Sequence, residues 1–247
     1  MGKELNISNS SVHRILQDDL GYFLYKKIIQ PAITDVQKQN RIKFANWVFN
    51  NFKKNDIRNW LFSNEKIFDL DGMYNVQNDR IWAINRQKAD KKCVEAKKHK
   101  FPAKVMVWLG ACTLGLTKLV ILEKGTINHE YYINKILPIA LKSGNDMMGD
   151  NWMFQQDGAS PHRHKKTQQW CKDNFPAFLP YDRWPANSPD LNPLDYSIWN
   201  ELVQNMDWGK ISTKSTLVGE LKLVVIKISV EFLLHSFDNF TFVYVKF

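Results

Sequence analysis

Cysteine is scarce in this chain. Cys93, Cys112 and Cys171 are odd in number and far apart, with no Cys-x-x-Cys pair, so neither a disulfide framework nor a cysteine zinc site is indicated. Long apolar runs are missing too. Val105-Met106-Val107-Trp108-Leu109 and Leu223-Val224-Val225-Ile226 fall far short of the roughly 20 residues that a membrane-spanning helix needs. The opening Met1-Gly2-Lys3-Glu4-Leu5-Asn6 lacks the apolar stretch of a secretory signal, so the expected location is the cytosol or nucleus, away from any membrane. No internal repeat and no long low-complexity tract is present. Negative charge is in deficit: 25 Asp and Glu stand against 34 Lys and Arg, a net +9 with a pI near 9.3. That balance favours a polyanionic partner through long-range attraction and counterion release, although basicity alone identifies none.

What is present is 247 residues with 44% hydrophobic content, enough for one large domain or a large plus a small one. Residues 1–32 read as a small helical unit. Ser8 can cap a helix in which Val12, Ile15, Leu16 and Leu20 keep helical spacing, and its opposite face carries His13, Arg14 and Gln17. Gly21 stands where that helix would end, and Tyr25-Lys26-Lys27 follows as a basic tail. Such a helix could lie in a DNA major groove, although for the segment taken alone an ordinary amphipathic surface helix is the better reading. A second helix is predicted from Thr34 through Val36, Phe44, Ala45 and Val48, with Lys38, Arg41 and Lys43 interleaved; over 33–58 it reads as a basic linker. Residues 1–58 hold ten Lys and Arg against five Asp and Glu, so the positive bias is front-loaded.

From Trp60 the pattern changes to short apolar segments: 60–62, 67–70, 81–83, 105–109, 119–122 and 152–154 read as strands. Helical stretches are predicted over about 129–141 and 164–174. Strands first and helices interleaved later predict a mixed α/β sheet flanked by helices. Between the third and fourth strands, residues 88–100 hold six lysines, Lys91, Lys92, Lys97 and Lys98 among them, against Asp90 and Glu95. A run so charged is usually a solvated loop; on a DNA-processing protein it would clamp phosphates.

Two carboxylates carry the chemistry. Asp157 follows the apolar segment Trp152-Met153-Phe154-Gln155-Gln156 and should project from a strand end. Asp195 lies two residues after Pro193, a first-turn residue, and so in the first turn of a helix. The 37 intervening residues suffice for one helix and one short strand to return both carboxylates to one sheet edge, where hard divalent ions find the oxygen ligands they prefer. Without further context, a cap or turn role would be the better reading of each. His162 and His164 have no Cys or acidic partner at zinc-finger spacing, and the nine tryptophans read mostly as core.

The run Phe154-Gln155-Gln156-Asp157-Gly158-Ala159-Ser160-Pro161-His162, followed by Trp184-Pro185-Ala186-Asn187-Ser188-Pro189-Asp190-Leu191-Asn192-Pro193-Leu194-Asp195, resembles the second and third catalytic segments of Tc/mariner superfamily transposases. Val105-Met106-Val107-Trp108 resembles the strand before the family's central hairpin, and Ser8 to Lys27 resembles the second helix-turn-helix of its paired-like DNA-binding region. The likeness covers roughly residues 5 to 225, in the family's order. An aspartate at the third position, so widely spaced, is similar to the mariner side of the superfamily. The resemblance implies an RNase H-like catalytic domain at 59–225, preceded by the helix-turn-helix unit at 1–32 and the linker at 33–58, with 226–247 as a divergent tail. It further implies metal-dependent cleavage and transfer of DNA strands in transposition and integration, in the nucleus. Two Mg2+ or Mn2+ ions would do the work, one activating water or a DNA 3′-hydroxyl and the other stabilising the leaving oxygen, at roughly 3.5 to 4 Å separation. The implied partners are double-stranded DNA, as transposon ends and target, and a second copy of the chain in an active homodimer, with no small-molecule substrate.

This chain departs from the family's pattern at the first carboxylate. Where the family has Phe-Ser/Thr-Asp-Glu, it has Phe62-Ser63-Asn64-Glu65. Asn64 therefore stands with Asp157 and Asp195 as the third candidate metal ligand, neutral where the family is charged. Glu65 should face the opposite side of its strand and cannot simply substitute; Asp69 and Asp71 are weaker replacements. Met1 lies just upstream of the second helix-turn-helix, so the first one of the family is expected to be missing. Two readings stay open, a transposase impaired by Asn64 and a catalytically inactive, transposon-derived DNA-binding protein; a different RNase H-like nuclease fits the order of motifs less well.

Overall fold

A computed structural model describes residues 8, 11, 14–20, 33–71, 100–122 and 127–243. The chain divides into a unit over Met1–Ile33 and a second over Thr34–Phe247. In the first, Ser8 Oγ accepts from Ser11 N at 3.0 Å, the bond of a helix cap, and a helical turn spans Ile15–Asp19 with Arg14 and Gln17 exposed. His13, Lys26 and Lys27 lie outside the described residues, as do the strand expected at 81–83 and Lys91, Lys92, Lys97 and Lys98.

The second unit is built on a six-stranded mixed sheet: β1 Trp60–Asp69, β2 Lys104–Cys112, β3 Gly115–Leu116, β4 Val120–Leu122, β5 Met153–Gln155 and β6 Ala177–Phe178. The order runs β3-β2-β1-β5-β6, with β4 also on β2; β1 to β4 are antiparallel neighbours, whereas β5 and β6 run parallel to β1. The two strands expected at 60–62 and 67–70 are one. Ser63 to Lys66 continue the ladder on β2, because a polar stretch is stable in a strand whose backbone groups are paired on that side.

Helices cover both faces. Alternation along β1 sends Trp60, Phe62 and Phe68 to one layer and Leu61 to the other. The first layer is closed by α1 Asp35–Asn51 and, later in the chain, by helices α4 Trp199–Asn205, α5 Lys214–Lys227 and α6 Val230–Val243. The second is closed by α2 Leu137–Met148, which continues from the turns His129–Tyr131 and Tyr132–Ile136, and by α3 Lys165–Asn174. Helix α1 begins where the sequence places it. Thr34 Oγ1 accepts from Gln37 N while Gln37 Oε1 accepts from Thr34 N, a reciprocal cap.

Its role is different from that of a linker. Phe44 and Val48 are 2% exposed, with Phe44 edge-on to Trp184 at 5.3 Å, so the helix is a wall of the sheet domain. The apolar positions Phe44 and Val48 were legible among the cations Lys38, Arg41 and Lys43; the surface that they pack against was not. Within the segment read as a divergent tail, Leu233, Phe237 and Phe240 are buried in the same layer. Cys112 and Cys171 are buried free thiols. Among the described residues no helix is long and apolar enough to cross a membrane.

The second layer has one close fit that can be tested. Gly144 on α2 faces Trp152, and a Cβ there would lie 2.2 Å from the indole Cζ2. Trp152 is 2% exposed and its Nε1 donates to Asn145 Oδ1 at 3.0 Å, so the ring has nowhere to go. Overpacking of this kind costs about 1–3 kcal/mol, more than the roughly 1 kcal/mol of helix propensity that alanine offers over glycine. Gly144→Ala should lower the melting temperature by several degrees; an unchanged or raised one would show that the helix can shift away.

Candidate active site

The strand register brings the first two candidate residues level. Phe62 pairs with Gln155 in the parallel β1–β5 ladder. Asn64 and Asp157 each lie two residues further along, on neighbouring segments of backbone roughly 4.8 Å apart in such a sheet. Ser63 reinforces the junction, its Oγ donating to Gln155 O at 2.9 Å.

The third residue arrives by way of Asn192. This asparagine, 2% exposed, donates from Nδ2 to Ser63 O at 3.1 Å and accepts from Leu194 N at 3.0 Å through Oδ1. It pins the turn Leu194–Ile198 to β1, with Pro193 in helical conformation before it and Asp195 in the first turn. Asn64 Nδ2 then donates to Asp195 Oδ1 at 2.7 Å. Asp157 and Asp195 line one open cavity of about 370 Å³, walled by Trp184, Pro185 and Ala186. The three candidates therefore meet at one edge of the sheet.

Each has committed part of its hydrogen-bonding capacity. Asp157 Oδ1 accepts from Ala159 N at 2.9 Å and sits 2.7 Å from His162 Nδ1, which leaves Oδ2 for a ligand. Asp195 spends Oδ1 on Asn64 and likewise keeps Oδ2. Asn64 Oδ1 accepts from Glu65 N at 2.9 Å, so the amide shows Asp195 its N–H and not its oxygen. The amide's orientation follows from charge: reversed, it would set its oxygen against a carboxylate. Two free carboxylate oxygens fit a hard divalent cation. Among the described residues no cluster of three His, Cys, Asp or Glu side chains offers more.

The electrostatics depend on burial opposed by partners. Burial would raise the Asp157 carboxyl, but the hydrogen bond and charge of His162 and the Ala159 N–H outweigh it and hold it below the usual carboxylate range. Burial pushes Asp195 up to about 6, against the opposing charge of Lys66, with Asp157 adding to the rise. Lys66 is lowered by its own burial, against the attraction of Asp195. It follows Asn64 by two residues and so shares its face of β1.

Glu65 lies on the other face, as alternation requires. Its Oε1 is 3.4 Å from His162 Nε2, and both side chains are nearly inaccessible. Burial alone would lower the His162 pKa, but Glu65 and Asp157 on either side push it up to about 10. The imidazole, with the Tyr132 ring centroid at 4.3 Å, thus joins Glu65 to Asp157. Sequence reasoning weighed His162 against a zinc site and did not find Glu65 as its partner, and it missed Lys66, Asn192 and Tyr132. It also missed Arg41, 6% exposed, which donates from Nη1 to Ser188 Oγ and Asp190 Oδ1 at 2.8 Å each and from Nη2 to Asp190 Oδ2, fastening α1 to the turn before Asp195. Nothing in the local sequence set Arg41 apart from Lys38 and Lys43. His164 is no metal partner of His162: its ring stacks on that of His129 at 3.5 Å.

No protein-family model matches the chain. Among curated proteins it is similar to the Tcb1 transposable-element transposase of Caenorhabditis briggsae, 22% identical over 199 residues, spanning 80% of this chain and 69% of that protein. It is 29% identical over 177 residues to the Tc3 transposase of Caenorhabditis elegans, spanning 70% of this chain and 49% of that one. Among solved structures it is similar to the Mos1 transposase paired-end complex with left transposon end, at TM-score 0.75, 17% identity and coverage of 99% of this chain and 71% of that one. The mariner Mos1 paired-end complex with Mg gives TM-score 0.77 at 16% identity and the same coverage. Order of motifs, sequence likeness and fold agree, and the chain is a relative of the Tc/mariner superfamily transposases with their mixed, RNase H-like α/β fold.

Proposed function

We propose that this chain is a DNA-binding, mariner-type transposase whose pocket at Asp157 and Asp195 is built for metal-dependent cleavage and transfer of DNA strands, and whose activity Asn64 weakens. The observation that carries the reading is the convergence of Asn64, Asp157 and Asp195 at one sheet edge, from three separate stretches of sequence. Mos1 structures of the same fold contain a transposon end, and others contain Mn or Mg; this supports duplex DNA and a hard divalent ion as the partners here. Asp157 and Asp195 would hold Mg2+ or Mn2+, and the ion would supply Lewis-acid activation of the attacking oxygen and charge for the leaving one. The chain's own residues do the placing. His162 fixes one oxygen of Asp157, Asn192 and Arg41 fix the turn that carries Asp195, and Lys66 adds positive charge beside it. Bringing two transposon ends together requires two copies of the chain, so the active form is a homodimer, working in the nucleus.

A specific observation favours a second reading. The Asn64 amide holds Asp195 by a neutral hydrogen bond where the family resemblance implies a metal-binding carboxylate, which describes a catalytically inactive, DNA-binding descendant of a transposase. Nicking of supercoiled plasmid by the full chain in Mg2+ and in Mn2+ separates the two. Both readings require salt-sensitive DNA binding, since residues 1–58 carry ten cations against five anions. Affinity for a duplex oligonucleotide should fall steeply between about 50 and 200 mM salt. Affinity that is flat over that range, or absent throughout, would refute both. Removing residues 1–32 should abolish sequence preference and leave part of the non-specific affinity.

A further inference from the structure

A second cavity shares a wall with the first. It measures about 390 Å³ and is lined by Asn40, Lys43 and Phe44 of α1 and by Asp182 and Arg183, with Trp184, Pro185 and Ala186 common to both cavities. The shared ridge of three residues spans at most about 10 Å, which is about three nucleotide steps at 3.4 Å per strand. We propose that this second cavity holds the sugar–phosphate backbone of the same DNA strand whose scissile bond lies at Asp157 and Asp195. The inference rests on the DNA-processing reading above and adds the residues that grip the strand beyond the cut.

Three observations carry it. The first is uncompensated charge: Lys43 and Arg183 are exposed, and among the described residues neither forms a salt bridge. Asp182, the acid on the wall, pairs with neither of them. The second is rigidity. Phe44 packs on Trp184, Arg41 clamps α1 to Ser188 and Asp190, and the Arg183 guanidinium lies over the Trp47 ring at 5.3 Å. The Arg183 guanidinium so held loses little freedom when it meets a phosphate, and Lys43 rises from a helix whose backbone is fixed. The third is continuity, because a strand leaving the catalytic pocket over Pro185 and Ala186 enters this cavity directly. Arginine's planar fork and the Asn40 amide suit phosphate oxygens, which every base sequence presents alike.

The test is fluorescence anisotropy of the full chain with a labelled duplex oligonucleotide over a salt series. Lys43→Gln with Arg183→Gln should weaken binding roughly tenfold or more at about 0.1 M salt, and lower the slope of log affinity against log salt by about 2, near 0.9 for each phosphate no longer neutralised. Lys43→Arg with Arg183→Lys keeps both charges and should keep the salt slope of the wild type even where the loss of the guanidinium fork lowers the affinity, and Asp182→Asn should bind more tightly. Lys222→Gln with Lys227→Gln removes equal charge from exposed positions on α5 and sets the background. If this control weakens binding as much as the cavity variant, or if the cavity variant leaves the slope unchanged, the cavity is not the strand's path and the DNA-binding reading stands without it. Failure of the wild type to bind DNA at any salt concentration would overturn that reading and this inference together.

Discussion

Asn64→Asp is expected to raise the rate of plasmid nicking in Mg2+ by at least about tenfold, while Asp157→Ala and Asp195→Ala in either background reduce it to the uncatalysed level. The reason is electrostatic. Two unit charges 4 Å apart at an effective dielectric constant of 20 interact by about 4 kcal/mol, so two dications at that distance repel by roughly 16 kcal/mol. Carboxylates at the site would offset this; a neutral amide would not. Groups that act as a unit are strongly non-additive, so one neutral substitution removes most of the rate enhancement and not one third of it. Here the amide is also turned away, with its oxygen held by Glu65 N and its N–H on Asp195. Manganese, more tolerant of mixed nitrogen and oxygen ligands, should favour the wild type more than magnesium does.

A second readout needs no catalysis. In Asn64→Asp two carboxyl groups face each other across the 2.7 Å now bridged by an amide hydrogen bond, so without metal one must take up a proton or the strand must yield. Divalent ions should therefore raise the melting temperature of Asn64→Asp by several degrees and that of the wild type much less. Equal nicking rates for the two proteins in Mg2+ would place Asn64 outside the ligand set. Equal thermal responses to the metal would do the same.

The sequence made the candidate site legible to different depths. Asp157 and Asp195 stood out because the segments around them resemble the catalytic segments of Tc/mariner transposases; the apolar strand before one and the first-turn proline before the other would alone have left a cap or turn role the better reading. The alternation of β1 likewise predicted that Asn64 and Glu65 would part to opposite faces. What alternation cannot supply is the identity of the partner on each face. Glu65 meets His162 across 97 residues of chain, and Arg41 meets Asp190 across 149; pairs at such separations leave no trace in local spacing. The packing of 33–58 lies out of reach of local spacing for a related reason. Phe44 and Val48 mark one apolar face of the helix, but their spacing does not say that the surface they cover is the sheet of the same chain.

The same reasoning gives the largest expected effect on stability. Phe240 is fully buried, with its ring centroid 5.1 Å from that of Phe62 and 6.3 Å from that of Trp60; Phe237, 3% exposed, lies 5.5 Å from Phe62. Both phenylalanines belong to α6, beyond the residues where the likeness of sequence motifs ends, yet they pack on the strand residue two positions before Asn64. Truncation of a core phenylalanine to alanine costs about 3–5 kcal/mol, against a total stability of roughly 5–15 kcal/mol for a domain. Phe237→Ala and Phe240→Ala should each lower the denaturant midpoint substantially. The two side chains share Phe62 as a neighbour, so their effects should couple and not simply add. A chain ending at residue 229 should fail to fold, because Trp60 and Phe62 would lose their cover. Tyr196 and Ser197 would lose it too, for Tyr196 donates its hydroxyl to Ser236 O at 2.7 Å and Ser197 Oγ lies 2.8 Å from Ser236 Oγ, so the helix also braces the turn that carries Asp195. Retention of wild-type stability by that shortened chain, read from a urea melt, would mean that α6 is a passenger on the sheet and that the site is held from β1 and Asn192 alone.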